Sequence, residues 1–281
     1  MYILLNNGYE PLTKFLLNIK DIFDKKNINC KIVKIKNLKV CEDDVLFLFS
    51  PYLTIGLMSL NCKFVIINTE QLRVKKWGNK IIPLLDNDNI ICIWDYSYSN
   101  INFIKNIYSN KICHFIPPAY HYSYEYSTNE YNSNEYKYNY DIIFYGGMNP
   151  RRKRIKRLLE DKYKVLFFYD FNKTDYYIKQ AKIVLIINFY EENSTIDYYR
   201  CNKLFANKKF VIHELPNIDE QNKDEFKMLN ESVIFCKYND IIKNCEKYLA
   251  LSQEERDVYC EKTYNTFKNN MSLDKYISNS F

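Results

Sequence analysis

Short apolar runs broken by polar stretches set the rhythm of the chain. Residues 2–5, 31–35, 45–49, 63–67, 90–94 and 111–116 are each rich in apolar side chains over the length of one strand. Runs of this kind, apolar without strict alternation, suit strands buried on both faces of a sheet. Between the first two, Leu12, Phe15, Leu16 and Ile22 or Phe23 recur at helical spacing and predict a helix over 11–24. Asn6 to Gly8 and Ser59 to Cys62 carry turn residues. The remaining segments between strands are long enough for crossover helices, so parallel strands are the natural topology.

The second half repeats the scheme. Strands are expected at 142–145, 164–169, 183–188, 210–213 and 232–236, with helices at 173–179, 195–206, 239–249 and 252–267. Pro117 and Pro118 stop the first series. Tyr120, Tyr122, Tyr124 and Tyr126 then alternate with polar residues, the period of an extended piece or edge strand. Residues 127–140 hold no apolar aliphatic side chain, which marks a hinge or exposed loop. The expected division is 1–118 as one α/β domain, 119–140 as linker, 141–267 as a second α/β domain and 268–281 as a tail.

Candidate chemistry concentrates at residues 141–152. An apolar strand, Ile142 to Tyr145, runs into Gly146 and Gly147, where the backbone can turn tightly and let a ligand approach its amides. Asn149 suits a helix cap and Pro150 the first helical position. The helix then opens with Arg151, Arg152, Lys153 and Arg154. Cations in a first turn oppose the helix dipole, and they make sense beside an anion. The stretch therefore reads as a phosphate or diphosphate site, or more plainly as a solvated basic helix behind a loop. It is neither a dinucleotide fingerprint nor a P-loop.

Composition narrows the classes. A chain of 281 residues, 47% hydrophobic, is long enough for two cored domains. The net charge of +6 is interleaved with acids, which argues against a nucleic-acid surface. Nine cysteines at scattered spacing and three histidines offer no zinc pattern and suit a reducing, cytoplasmic setting. No targeting segment opens the chain, and no apolar stretch approaches membrane-spanning length. Abundant Asn, Lys, Ile and Tyr with scarce Gly suit an AT-rich coding sequence.

Three further places carry polar groups where strands end. Asn68 to Leu72 leaves one strand, and Asp95 to Ser97 leaves another; both also read as ordinary caps and turns. In the helix at 195–206, Ser194 can cap and Asp197 can complete a capping box. Asp197 and Arg200 share a face, as a ligand pair or a surface ion pair, and Glu214 ends the strand that follows.

These pieces resemble glycosyltransferases of the two-domain GT-B architecture, and most of all a single-chain branch with a Phe-Tyr-Gly-Ser-x-Asn-x-Arg-Arg element. Here that element is Phe144 to Arg152. A second element matches at Asp197, Arg200, Cys201, Asn202, Leu204, Phe205, Asn207, Lys209 and Val211 to Glu214. Looser matches fall at Asn68 to Leu72, at Trp94 to Ser97 with Asn100, and at Pro117 to Tyr120, so the likeness covers 60–267. Asp197 stands where the branch has Glu, Gly147 and His213 where it has Ser, and Ala119 where it has Gly. The spaced glutamate pair of better-known members is absent in its usual form: counting on from Asp197 reaches Phe205, and from Glu191 or Glu192 reaches Tyr199 or Arg200.

The resemblance implies two Rossmann-like domains with parallel sheets facing across a cleft. It implies transfer of a sugar from a nucleotide-sugar donor, of UDP or GDP type, to a glycan, protein or small-molecule acceptor, or an inactive module that binds nucleotide or sugar. Gly146, Gly147, Asn149, Arg151, Arg152, Asp197, Arg200, Asn202 and Glu214 become donor-binding candidates, with the ribose near Asp197 and the base near Val165 to Lys173. Cations already in place make a metal-free site plausible. Glu70 and Asp95 are the candidate bases, Glu70 favoured. Similar genes occur in bacteria and in large DNA viruses, which places such a protein in the host cytoplasm; neither nucleic acid nor a membrane is an expected partner.

Overall fold

The computed structural model describes residues 1–6, 10–50, 54–127 and 138–280. The turn expected around Asn7 and Gly8 and the middle of the expected linker lie outside the described residues. The chain divides into two compact units, Met1–Pro118 with Leu273–Phe281, and Ala119–Ser272.

The first unit contains β1 (Tyr2–Asn6), α1 (Glu10–Lys25), β2 (Cys30–Lys34), β3 (Val45–Phe49), β4 (Lys63–Asn68), α2 (Lys75–Ile81), β5 (Ile90–Asp95), α3 (Tyr98–Ile107) and β6 (Cys113–Phe115). Its strands form one parallel sheet in the order β2-β1-β3-β4-β5-β6. The unbroken apolar runs of β3 and β4 are explained by burial on both faces. Leu46, Leu48, Phe64 and Ile66 pack in one cluster. On the other face Phe47 meets Phe23 of α1 at 5.8 Å and Trp94 at 5.1 Å, both edge-to-face. The register sets Asn68 beside Asp95 where β4 and β5 end.

The second unit contains β7 (Tyr140–Tyr145), α4 (Pro150–Glu160), β8 (Val165–Phe168), α5 (Thr174–Lys179), β9 (Ala181–Ile186), α6 (Tyr198–Ala206), β10 (Val211–Glu214), α7 (Ile218–Gln221), α8 (Asp224–Leu229), β11 (Ile234–Cys236), α9 (Ile241–Leu249) and α10 (Gln253–Asn270). The sheet is again parallel, ordered β11-β10-β9-β7-β8. Ile142, Phe144, Ile183, Leu185 and Ile212 form its core with Ile155 and Leu159 of α4.

Several expectations are corrected. Tyr122–Tyr124 is a 3-10 turn, not part of a strand, because the His121 side chain accepts from the Ser123 amide and stabilises a local bend. Asn207 fastens this stretch, donating to the Tyr124 carbonyl at 2.7 Å and accepting from the Tyr126 amide at 2.7 Å. Tyr120 makes a single parallel bridge to Ser272, so the second unit begins and ends side by side. The last segment is no tail: α10 runs to Asn270, and α11 (Leu273–Ser278) follows and belongs with the first unit. There Tyr276 meets Phe115 at 5.7 Å, and Leu273 and Ile277 are fully buried.

Gly78 in α2 marks a close approach, since a Cβ there would lie 2.4 Å from the Leu72 carbonyl oxygen. Gly78→Ala should destabilise the first unit by about 1–3 kcal/mol through overpacking against backbone. Gly56→Ala, with nothing within 4 Å of its Cβ, should melt like wild type. Thermal unfolding of the two variants checks this.

Candidate functional site

In the second sheet the chain leaves β7 toward β8 on one side and leaves β9 toward β10 on the other. The crevice beyond these strand ends, where the order reverses, is where open α/β sheets bind ligands. Gly146 follows β7 with φ +143, a conformation closed to other residue types without strain. A Cβ there would also meet Phe144 at 3.3 Å and Arg200 Nη1 at 3.5 Å. The sequence predicts a Gly146 amide open to a ligand, and this is corrected: it donates to the Phe168 carbonyl at 3.0 Å. Among the described residues nothing accepts from the Gly147 amide.

Asn149 caps α4, accepting from the Arg152 amide at 3.0 Å, and its Nδ2 donates to the Phe189 carbonyl at 2.7 Å. Arg152 is 5% exposed. Its Nη1 donates to the Gly147 carbonyl at 2.6 Å, and its Nε and Nη2 donate to that of Ile187 at 3.0 and 2.5 Å. Its guanidinium lies 4.9 Å from the Phe144 ring centre and 5.1 Å from that of Phe189. Burial, helped by the nearby Arg200 charge, lowers its pKa to about 9, which leaves it charged at neutral pH.

Arg200 completes the cluster. It pairs with Asp197 at 2.8 Å and donates to the carbonyls of Tyr145 at 3.1 Å and Ile187 at 3.3 Å. Asp197, not Ser194, caps α6, accepting from the Arg200 amide at 3.1 Å. The pair is therefore built into the helix start and the strand ends. Burial alone would raise the Asp197 pKa, yet the Arg200 charge and hydrogen bonds outweigh it and hold the carboxyl below its ordinary value. Arg151 grips Glu214 with two bonds of 2.6 and 3.2 Å and donates to the Asn188 carbonyl at 2.9 Å. It also stacks 4.2 Å from the Tyr238 ring centre.

His213, fully buried in β10, joins the two carboxylate residues. Its Nε2 accepts from the Asp197 amide at 3.1 Å, and its Nδ1 sits 2.5 Å from the Glu214 carbonyl, which fixes the neutral ring with its proton on Nδ1. Asn202 lies apart from this network, buried in α6 with its Oδ1 turned back to the Lys203 amide at 2.6 Å. Lys156 forms a surface pair with Glu160.

In the first unit, Asp95 is fully buried, and its carboxylate is taken by Asn68 Nδ2 at 2.7 Å, the Ser97 amide at 2.9 Å and Asn100 Nδ2 at 3.0 Å. This corrects its expected role as a base: it staples two strand-end loops together and has no access to an acceptor. Asn68 and Asn100 both donate to the Glu70 carbonyl at 2.8 Å, and Asn68 Oδ1 accepts from the Glu70 amide at 3.2 Å. Glu70 itself is half-buried on the loop so held.

Sequence reasoning passed over Asn188, Phe189 and Tyr238. The first two directly follow the apolar run of β9, and a polar residue at that point in a parallel strand was the available signal.

No family model matches the chain. It is 31% identical to an uncharacterised protein of Acanthamoeba polyphaga mimivirus over 191 residues, 68% of this chain and 63% of that protein, so it spans about three-fifths of that relative's length. A second uncharacterised mimivirus protein is 25% identical over 82% of this chain and 76% of its own. HepE of Anabaena, solved in complex with UDP and glucose, superposes with a TM-score of 0.64 at 9% identity, covering 99% of this chain and 98% of that one. The bacteriophage T4 β-glucosyltransferase in complex with UDP-glucose gives 0.59 at 13% identity, over 99% and 97% of the two chains. The chain has the GT-B fold. At such identities the likeness is one of fold.

Two outcomes are expected of the cluster. Arg152→Met should cost about 1–3 kcal/mol for each carbonyl it strips of its buried donor, whereas Lys156→Ala should leave the melting temperature unchanged; calorimetry of both decides. Burial also lowers the His213 pKa from its ordinary 6.5 to about 4. The unfolded chain then binds the proton first, so the stability contributed by the neutral ring is complete above pH 6.5 and is lost as the pH falls through about 4. Melting followed across that window should show a shallower decline for His213→Ser than for wild type.

Proposed function

We propose that the chain is a glycosyltransferase that takes a sugar from a nucleotide-sugar donor held at the β7–β9 edge of its second unit. The observation that carries this is the convergence of Arg151, Arg152 and Arg200 on those strand ends, beside the Gly147 amide and the start of α4. Three guanidinium groups share the edge with the carboxylates of Asp197 and Glu214, which leaves an excess of positive charge for a diphosphate. Among the described residues no group of three or more His, Cys, Asp or Glu is arranged to hold a metal ion.

The chemistry follows from the charge. As the sugar leaves, the nucleoside diphosphate becomes more negative, and fixed donors that strengthen with that charge lower the barrier. Glu70 is the base that takes the acceptor's proton, and Asp95 holds its loop in place through Asn68 and Asn100. UDP is the favoured nucleotide, because HepE and the T4 enzyme are described with UDP or UDP-glucose. In this reading the nucleoside lies at the end of β8, where Tyr169 is 64% exposed, with the ribose near Asp197.

The test is a screen of UDP- and GDP-sugars for nucleotide release. UDP release is expected, with Arg200→Ala slowing it on the order of 10²-fold. Glu70→Gln should abolish transfer while leaving UDP affinity near wild type. A folded protein that binds no nucleoside diphosphate and cleaves no nucleotide sugar would overturn the reading.

A further inference from the structure

Asn188 stands two residues past the end of β9 with its main chain locked on both sides. Its amide donates to Glu214 Oε2 at 2.9 Å, and its carbonyl accepts from Arg151 Nη1 at 2.9 Å. The residue is 3% exposed, and its side-chain Nδ2 is buried with no acceptor among the described residues. A buried amide nitrogen without a partner is costly enough that native proteins seldom keep one without reason.

The surroundings explain why no protein acceptor serves it. The Ile187 carbonyl is taken by Arg152 and Arg200, the Phe189 carbonyl by Asn149, and the Gly147 carbonyl by Arg152. The Glu214 carboxylate is occupied by Arg151 and by the Asn188 amide itself. Each of these acceptors already carries a donor, and a ligand rich in oxygen would bring Nδ2 the partner it lacks.

We propose that Asn188 is a donor-binding residue whose Nδ2 donates to a phosphate oxygen of the nucleotide sugar. This rests on the glycosyltransferase reading above. A neutral donor among guanidinium groups adds direction to a site whose cations already supply charge. It also means that the unliganded protein carries an unmet donor that binding satisfies, so stability and affinity pull in opposite directions at this one position.

Asn188→Leu, which keeps the branched heavy-atom shape, separates the two effects. Titration calorimetry with UDP, UMP and uridine is paired with thermal melts of the unliganded protein. The variant should melt at or above the wild-type temperature, because an unsatisfied polar group gives way to an apolar one of similar shape. It should bind UDP about 10- to 100-fold more weakly, the worth of one hydrogen bond to a charged group, with uridine affinity little changed. Asn188→Asp, which turns the donor into an acceptor, should weaken UDP at least as much. If Asn188→Leu binds UDP like wild type, or if it loses UDP and uridine equally, the phosphate contact is wrong while the glycosyltransferase reading stands. If Asn188→Leu melts well below wild type, Nδ2 has a structural partner and the proposal is overturned. If wild type binds none of the three, the glycosyltransferase reading fails and takes this contact with it.

Discussion

Parallel strands end in carbonyls that the ladder no longer pairs, and a buried carbonyl without a donor is costly. At the β7–β9 edge guanidinium groups meet that demand. Arg152 bridges the carbonyls of Gly147 and Ile187, Arg200 those of Tyr145 and Ile187, and Arg151 reaches that of Asn188. Much of the local design follows. Gly146 has to lack a side chain because its φ of +143 strains any other residue and a Cβ would press on Phe144. Asp197 and Glu214 are placed to balance the imported charge, and His213 ties those two together through opposite ring nitrogens.

The first unit solves the same problem with the opposite chemistry. Where β4 and β5 end, the central group is the Asp95 carboxylate, and the donors around it are the amides of Asn68 and Asn100 and the Ser97 backbone. An acid satisfied by neutral donors leaves that edge without an excess of cations. The contrast is one of charge: guanidinium groups dominate one strand edge, and a buried carboxylate held by neutral donors the other.

Much of the architecture was legible in the sequence. Unbroken apolar runs at β3, β4 and β9 can only be strands covered on both faces, and the step from Tyr145 through Gly146 to Asn149 and Pro150 spells a strand, a turn and a helix start. What a guanidinium meets was not legible. Arg152 reads the same whether it faces phosphate, water or a carbonyl, and only the fold brings Ile187 to it. The same limit hid the true cap of α6, because Ser194 and Asp197 are both good cap residues and the choice is made by Arg200 and His213. It also hid the bend at Tyr122–Tyr124, where a histidine side chain and Asn207 override an alternating pattern. Asn188 offered only its place, a polar residue directly after the apolar run of β9, since an unmet donor exists only in three dimensions.

A cluster can be both scaffold and ligand site because of the shape of its side chains. A guanidinium carries five N–H donors in a flat fork. The protein bonds of Arg152 engage three donor directions, all toward two carbonyls just past the ends of adjacent strands. Donors beyond those would serve a phosphate in the proposed site, aimed by the ones already bound. A lysine could not divide itself in this way, since its rotating ammonium has no fixed second edge. Pinning the arginines before the ligand arrives spares the ordering of long side chains on binding, which is the larger part of what preorganised sites gain. Near saturation of the protein acceptors along the edge is thus what would make it selective, in the reading proposed above, for ligands that bring oxygen with them.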